Sequence, residues 1–494
     1  MTSGKVLSNL IWRFCERIGV KLITTVVSLI LARVLAPEAF GTVTIVLVIT
    51  DILQVFVESG FGTALIQKKD ADDLDFSSVF WFNVTACVVL YGLLFIFAPL
   101  IAGFYGRSEL VPVIRTIGII LIVAGVRNVQ QAYVSRNMLF RRFFFSTLGG
   151  TVSGAVVGIT MAFSGFGVWA YVAQYLTNNI VGTAILWITV NWRPKAGFSL
   201  QRLKGLFSFG WKLLVSSVLN TLSDKLRQLI IGRQYDSSSL SFYNYGVTFP
   251  NLIVENVNTS IDSVLLPALS SEQDSKSSVK TMTKRAVSVS SYVMWPLMLG
   301  LLGVSKPLVQ LVLGDAWLPC VPFIRIFCVY YALFPVHTAN LNAVKAVGRS
   351  DIFLKLEVLK KVLDFAVVIA TMRLGVTAMA IGLLGEGLVN LAINAFPNSK
   401  LIDYRFSEQI RDIFPSAALA GVMCGAVLGL AAACGSAFSD LSVAAGCIIT
   451  LLVQMLAGAA IYIGGSAALK LESFTYILNK ILPVIRRFTE KEQT

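Results

Sequence analysis

The sequence predicts an all-α integral membrane protein of about fourteen transmembrane helices, and three observations predict it. Of its 494 residues 56% are hydrophobic and only 14% charged, with a mean hydropathy of +0.75; a soluble domain keeps roughly a quarter of its residues charged. The apolar residues come in blocks of about 20, the length a helix needs to cross the hydrocarbon of a bilayer. The alternating ten-residue segments of a membrane β-barrel do not occur.

Apolar runs read against their polar punctuation give the spans in order. The first six are 10–32, 41–66, 78–103, 110–131, 143–164 and 167–190. The next six are 207–232, 243–268, 284–306, 320–343, 354–373 and 375–397, and the last two are 412–435 and 441–468. An amphipathic tail follows, with Phe474, Ile477, Leu478, Ile481 and Ile485 apolar and Lys480, Arg486 and Arg487 basic. Such a segment is expected to lie in the cytoplasmic interface rather than to span. No short apolar stretch with a small-residue cleavage site opens the chain, so the first helix is expected to stay as an uncleaved anchor.

The net charge of +14 suggests nucleic acid only until its placement is read. Most of the Lys and Arg fall in short segments between apolar runs, where membrane topology accounts for them. One set of span ends carries Lys68, Lys69, Arg136, Arg141, Arg142, Arg193, Lys195, Arg202 and Lys204, and continues with Lys276, Lys280, Lys284, Arg285, Lys345, Arg349, Lys400 and Arg405. The opposite set has Arg33, Arg107, Arg115, Arg233, Lys306, Arg325 and Arg373. The positive-inside rule then places both termini in the cytoplasm, which requires an even number of spans. The seven cysteines show no CxxC spacing and sit mostly inside apolar runs, as small core filler rather than a disulfide or metal set. No metal or cofactor is expected.

The two halves of the chain match at corresponding positions. Leu31-Ala32-Arg33 ends span 1 as Ile231-Gly232-Arg233 ends span 7, and Phe40-Gly41 opens span 2 as Tyr245-Gly246 opens span 8. Pro99-Leu100 before Gly106 recurs as Pro307-Leu308 before Gly314. Val111-Pro112-Val113-Ile114-Arg115 recurs as Val321-Pro322-Phe323-Ile324-Arg325, and Gly167-Val168 as Gly375-Val376. A six-span repeat enters the membrane the same way round in both copies, and such parallel repeats enclose a cleft and rock about it. The expected organisation is an N-terminal lobe at 1–200, a C-terminal lobe at 201–405, two added spans at 406–469 and the tail at 470–494.

Charges inside a bilayer are costly and face a cavity or one another. Span 1 carries Arg13, Arg17 and Lys21 at i, i+4, i+8, one helical face, with Glu16 adjacent. Span 2 has Asp51 and Glu58, and span 8 has Glu255 and Asp262; each pair keeps the same distance from its Ala-Leu marker (Ala64, Ala268). In one reading these are structural or gate bridges, Glu58 with Arg17 and Asp262 with a span 7 cation such as Lys225 or Arg227. In the other, Arg13, Arg17, Lys21, Lys225 and Arg227 line a cavity for an anionic head group, since guanidinium offers phosphate two parallel hydrogen bonds. The acids Asp51, Glu58, Glu255 and Asp262 then serve ion coupling or the gate. His337 is expected to be packed and hydrogen-bonded, Asp364 and Glu386 to bond between helices, and Pro296 to kink span 9. The rows Gly150, Gly154, Gly158 and Gly421, Gly425, Gly429 are expected to be packing faces. Lys68 to Asp73 is expected to be a solvated loop.

No GxSxG, HExxH or GxxxxGK[ST] motif occurs, and the loops are too short for a nucleotide-binding domain, so the chain is not expected to be an enzyme. Movement of a cargo would be driven by an ion gradient, the membrane potential or consumption of the product.

Residues 31–41, Leu-Ala-Arg-Val-Leu-Ala-Pro-Glu-Ala-Phe-Gly, resemble the first loop of the polysaccharide-exporter (Wzx-type, PST) branch of the multidrug/oligosaccharidyl-lipid/polysaccharide superfamily. So do residues 60–67, Gly-Phe-Gly-Thr-Ala-Leu-Ile-Gln, followed by Phe80-Trp81-Phe82-Asn83, and residues 309–317, Val-Gln-Leu-Val-Leu-Gly-Asp-Ala-Trp. The chain looks most similar to colanic-acid- and teichuronic-acid-exporter-like members. That resemblance implies a two-lobed, V-shaped bundle in the bacterial inner membrane. It implies a cargo of undecaprenyl-diphosphate-linked repeat units for exopolysaccharide, capsule or O-antigen (lipopolysaccharide), flipped to the outer leaflet. Membrane lipid and the pathway's polymerase and glycosyltransferases are the implied partners; nucleic acid is not. The alternatives are a cation-coupled drug antiporter on the same fold, a peptidoglycan-precursor flippase, and a non-transporting scaffold for glycosyltransferases.

Overall fold

In a computed structural model the chain is described over residues 3–58, 61–68, 70–437 and 442–480; side chains at 3–18, 57, 208–209, 212–213 and 435–437 fall outside that description. Among the described residues, seventeen α-helices and one 3-10 turn fill the fourteen predicted spans in order. Span 1 is α1 (Ser3–Val34). Span 2 is divided into α2 (Pro37–Glu58) and α3 (Phe61–Gln67). Span 3 is α4 (Asp73–Tyr105), and span 4 is divided into α5 (Leu110–Ile117) and α6 (Ile119–Arg136). Then follow α7 (Phe140–Phe163), α8 (Val168–Thr189), α9 (Leu200–Gln234), α10 (Ser237–Ser271) and α11 (Lys276–Val312). Span 10 is the turn Asp315–Cys320 with α12 (Val321–Ala332) and α13 (Phe334–Ala346). The last four spans are α14 (Ser350–Thr371), α15 (Val376–Leu401), α16 (Phe406–Ala437) and α17 (Val443–Ala468).

Among the described residues nine of these segments are long and apolar enough to cross a membrane. The others are the polar ones by sequence. α1 carries Arg13, Glu16, Arg17 and Lys21; α9 carries Asp224, Lys225 and Arg227; α10 carries Glu255 and Asp262. α14 carries Lys355, Glu357, Lys360, Lys361 and Asp364, and α8 carries Gln174, Asn178 and Asn179. Polarity at membrane depth is tolerated on faces turned to other helices or to a water-filled cavity.

The backbone repeats where the sequence does. Left-handed conformations fall at Gly106, Met138 and Gly167 in the first copy, and at Gly314, Gly348 and Gly375 in the second, 208 to 210 residues on. At five of the six positions glycine adopts positive φ without a Cβ penalty. Span 4 and its counterpart span 10 are both broken, but at different positions: α5 yields to α6 at Gly118, and α12 yields to α13 at Leu333, where Pro335 can start a helix but not continue one.

The chain forms two compact units, Met1–Ser241 and Phe242–Thr494. In the first, α7 and α8 pack along the row Gly150, Gly154, Gly158, as the small-residue spacing predicts. A Cβ on Gly154 would sit 2.7 Å from the carbonyl oxygen of Gln174, and one on Gly150 2.4 Å from that of Asn178. The second row behaves differently. Gly421, Gly425 and Gly429 on α16 are exposed and face open space, so they do not form the packing face expected of them.

α9 packs against α2, α3 and α4, which carries the first compact unit past the repeat boundary at 200/201. The segment 190–199 leading into it is fastened to α4. Trp192 is buried and donates from Nε1 to Asp73 Oδ1 at 3.2 Å. The Lys195 and Ser199 amides donate to Ser77 Oγ and Ser78 Oγ at 3.0 and 2.9 Å. Asp72 caps α4 in a reciprocal capping box with Asp75. Asp75 is fully buried and pairs with Lys68 at 2.6 Å and Arg202 at 3.5 Å. Asp70, Asp72 and Asp73 are exposed, as a solvated loop requires, while Lys68 and Arg202 clasp the buried Asp75 behind them.

In the second unit α11 and α16 are the main packing pair, and α17 covers both. Residues 472–480 are helical, and Phe474 and Ile477 of the tail pack on a cluster that includes Tyr292, Met423 and Tyr462. That part of the tail's apolar face is therefore occupied by protein; Ile481 and Ile485 lie outside the described residues. Pro296 lies inside α11, which runs on to Val312.

Candidate functional site

Within the first unit α2 lies against both α6 and α9. Asp51, in the second half of α2, meets Lys225 of α9 at 2.8 Å, with the two side chains 34% and 29% exposed. Two turns further along the same face, Glu58 Oε1 stands 3.8 Å from Arg127 Nη2 of α6. Arg127 also donates from Nη1 to Asn179 Oδ1 of α8 at 2.9 Å. A cavity of about 360 Å³ opens beside this group, lined by Arg127, Gln131, Ser146, Thr147 and Asn178 among others.

Lys225, expected as a partner of Asp262, pairs instead with Asp51. Arg227 is half-buried on the same helix. Lys21 is exposed on α1, which packs on α7. Arg13 and Arg17 lie on α1, but their side chains fall outside the described residues, and with them the expected Glu58–Arg17 bridge. Arg127 is the residue that the sequence reading missed. An arginine twelve residues beyond Arg115, deep in the long apolar run at 110–131, was the available signal, and intramembrane arginines mark function or pairing.

The second unit holds its acids differently. Glu255 accepts from Asn251 Nδ2 at 2.8 Å, within α10. Asp262 accepts from Asn342 Nδ2 of α13 at 2.8 Å, and Asn342 is buried. Behind them lies a buried amide network. Asn340 Nδ2 donates to Gln409 Oε1 at 2.8 Å, Gln409 Nε2 returns a bond to Asn340 Oδ1 at 3.0 Å, and Asn398 Nδ2 donates to Asn340 Oδ1 at 2.7 Å. His337 is packed and hydrogen-bonded as expected, its Nδ1 3.0 Å from Asn394 Nδ2. Glu386 accepts from Asn390 at 3.1 Å inside α15. Asp364 is buried. Among the described residues no group of three or more His, Cys, Asp or Glu side chains is placed to hold a metal ion.

Chemically, the first unit offers carboxylates and cations whose partners lie on different helices. Such pairs can exchange partners when helices shift or when an anion arrives. The family model described as "Polysaccharide biosynthesis protein" matches residues 30–322. The chain is 29% identical over 308 residues to the teichuronic acid biosynthesis protein TuaB of Bacillus subtilis (strain 168), covering 60% of this chain and 62% of that protein. It is 25% identical over 370 residues to the lipopolysaccharide biosynthesis protein WzxC of Escherichia coli (strain K12), covering 74% and 75%. Among solved structures it superposes on the lipid II flippase MurJ in an inward closed conformation. The TM-score is 0.71 at 14% identity, with 96% of this chain and 99% of that one covered, a likeness of fold.

Proposed function

The chain belongs to the polysaccharide biosynthesis protein family, and on that premise we propose that it flips lipid-linked oligosaccharide repeat units across the membrane it spans. It is a multi-pass helical membrane protein on the fold of the flippase superfamily. The cargo is undecaprenyl-diphosphate-linked, and it moves from the cytoplasmic to the outer leaflet of a bacterial inner membrane in which both termini are cytoplasmic. The repeat halves, 1–200 and 201–405, move against each other, with 406–469 as an addition. An ion gradient or the membrane potential supplies the energy, and no bond is made or broken.

The observation that carries this reading is the Asp51–Lys225 pair between α2 and α9, in a chain whose first span is basic by sequence. A helix with Arg13, Arg17 and Lys21 on one face is costly in lipid unless that face meets an anion or a cavity, and a diphosphate supplies the anion. In this reading Arg13, Arg17, Lys21, Lys225 and Arg227 hold the diphosphate, while Asp51, Glu58, Glu255 and Asp262 serve the gate or the ion. Deletion followed by lipid analysis tests the class. Undecaprenyl-linked repeat units should accumulate facing the cytoplasm, and their absence there would refute it. Arg17→Ala and Lys21→Ala test the site: both should abolish transport at normal expression, and normal transport in both would remove it.

A further inference from the structure

The second unit contains a cavity that the cargo path does not account for. It measures about 390 Å³ and lies where the C-terminal part of α11 and the start of α12 meet α16 and the first turn of α17. Its walls include the apolar Pro307, Leu428 and Val443, and two cations enter it, Lys306 and Arg325. Among the described residues neither has a carboxylate within ion-pair distance. Arg325 donates from Nε to Ser305 Oγ at 3.3 Å, which leaves its terminal N–H groups available to a further acceptor. The nearby Gln310 is already engaged, donating to Asp315 Oδ1 at 2.8 Å.

The first copy of the repeat shows what these positions do without a pocket. Arg115, the counterpart of Arg325, lies 4.2 Å over the ring of Phe95 and donates to the Phe95 carbonyl oxygen at 3.4 Å. The counterpart of Lys306 is Ala98, which is fully buried. The pair of cations thus belongs to the copy against which the two added helices pack, and those helices build the remaining walls.

We propose that this cavity binds the phosphate of an anionic membrane lipid, held by Lys306 and Arg325, with its glycerol or chain against the apolar wall. A basic pocket between transmembrane helices near their ends is a recognised form of lipid head-group site. Guanidinium and ammonium together suit phosphate, the first by paired hydrogen bonds and the second as a point charge. The position near the end of α11 sets the phosphate at head-group depth. Two sources share this chemistry, a resident phospholipid and the polyprenyl phosphate carrier, and the binding does not depend on which saccharide is moved.

The test is native mass spectrometry of the full chain in detergent, titrated in turn with phosphatidylglycerol and with undecaprenyl phosphate. The double variant Lys306→Gln/Arg325→Gln should weaken binding of one of them at least about tenfold, which converts to about 1.4 kcal/mol, while Lys306→Arg leaves it within about twofold. Loss confined to phosphatidylglycerol assigns a resident phospholipid, and loss confined to undecaprenyl phosphate assigns the carrier. Affinities of both lipids unchanged within about twofold in a folded double variant overturn the proposal. If the double variant does not fold, Thr450→Phe fills the cavity without touching either cation and should produce the same loss; unchanged binding there overturns the proposal equally.

Discussion

The same pair of acids occurs in both units, and each unit treats it differently. In the first, Asp51 and Glu58 face cations on other helices, Lys225 and Arg127. In the second, their counterparts Glu255 and Asp262 accept from the amides of Asn251 and Asn342. An ion pair and a hydrogen bond from a neutral amide both satisfy a carboxylate, but they respond differently to change. An ion pair between helices stores a charge on each side and releases both when it opens. The hydrogen bond from Asn342 holds Asp262 by a neutral donor, and opening it strands only one charge. The first unit is therefore built to react to an anion or to a helix shift, and the second to keep its geometry.

The sharpest way to break this contrast is to remove one member of the Asp51–Lys225 pair. Breaking a fully buried pair costs about 3–5 kcal/mol; with each side chain about a third exposed, screening reduces this to about 2–3 kcal/mol. Lys225→Ala and Asp51→Ala should each lower transport by up to about a hundredfold, scored as surface polymer per unit of expressed protein. The exchange Asp51→Lys with Lys225→Asp should recover a tenth or more. In the second unit Asp262→Asn keeps an acceptor oxygen for the Asn342 amide but removes the charge assigned to the gate or the ion, and should lower transport by about tenfold, less than loss of either member of the Asp51–Lys225 pair. Equal losses at Asp51 and Asp262 would erase the distinction.

The two glycine rows offer a second contrast, in stability. Gly154→Leu forces a side chain into α8, where a Cβ already lies 2.7 Å from a carbonyl, and overpacking of this kind costs about 1–3 kcal/mol. Gly425→Leu meets nothing within 4 Å and should change stability by less than about 0.5 kcal/mol. Thermal melts of the purified proteins in one detergent decide it. A large loss at Gly425 would mean that another surface covers α16.

These contrasts also show what could be read in advance. Nine of the spans were legible by apolar length alone and the rest by the polar punctuation between them, and the duplication was legible because Arg33, Gly106 and Gly167 recur in order. The breaks inside spans were not: Gly118 looks like any other small residue in an apolar run, and only its neighbours on α4 give it meaning. Partner choice was not legible either. Lys225 has acids at several heights to choose from, and the rotation of α9 against α2, which decides for Asp51, follows from packing on α2, α3 and α4. The two glycine rows have identical spacing, and only the presence of α8 against one of them separates packing from an open face. Arg127 could have been found, since an arginine within a long apolar run carries its own flag.

The smallest effect concerns the helix caps. α4 is capped by Asp72 and its counterpart α11 by Ser275, which accepts from the Ser278 amide at 3.3 Å. The Asp75 backbone amide that donates to Asp72 holds its carboxyl below the usual carboxylate range, with Arg202 and Lys68 adding to the effect. A group depressed in the folded state contributes stability that is present above its unfolded pKa, about 3.9. That stability is lost as pH falls through the lower folded value. At neutral pH Asp72→Ala and Ser275→Ala should cost about the same, about 1 kcal/mol each. Below about pH 4 the Asp72 contribution should fade while that of Ser275 persists. Amide exchange in the first turns of α4 and α11, corrected for intrinsic rates, should then show α4 opening first on acidification. Asp72→Asn, which keeps the acceptor and does not titrate, should remove that difference. If α4 in the Asn variant still loosens with acid, the Asp72 cap is not the group that answers to pH.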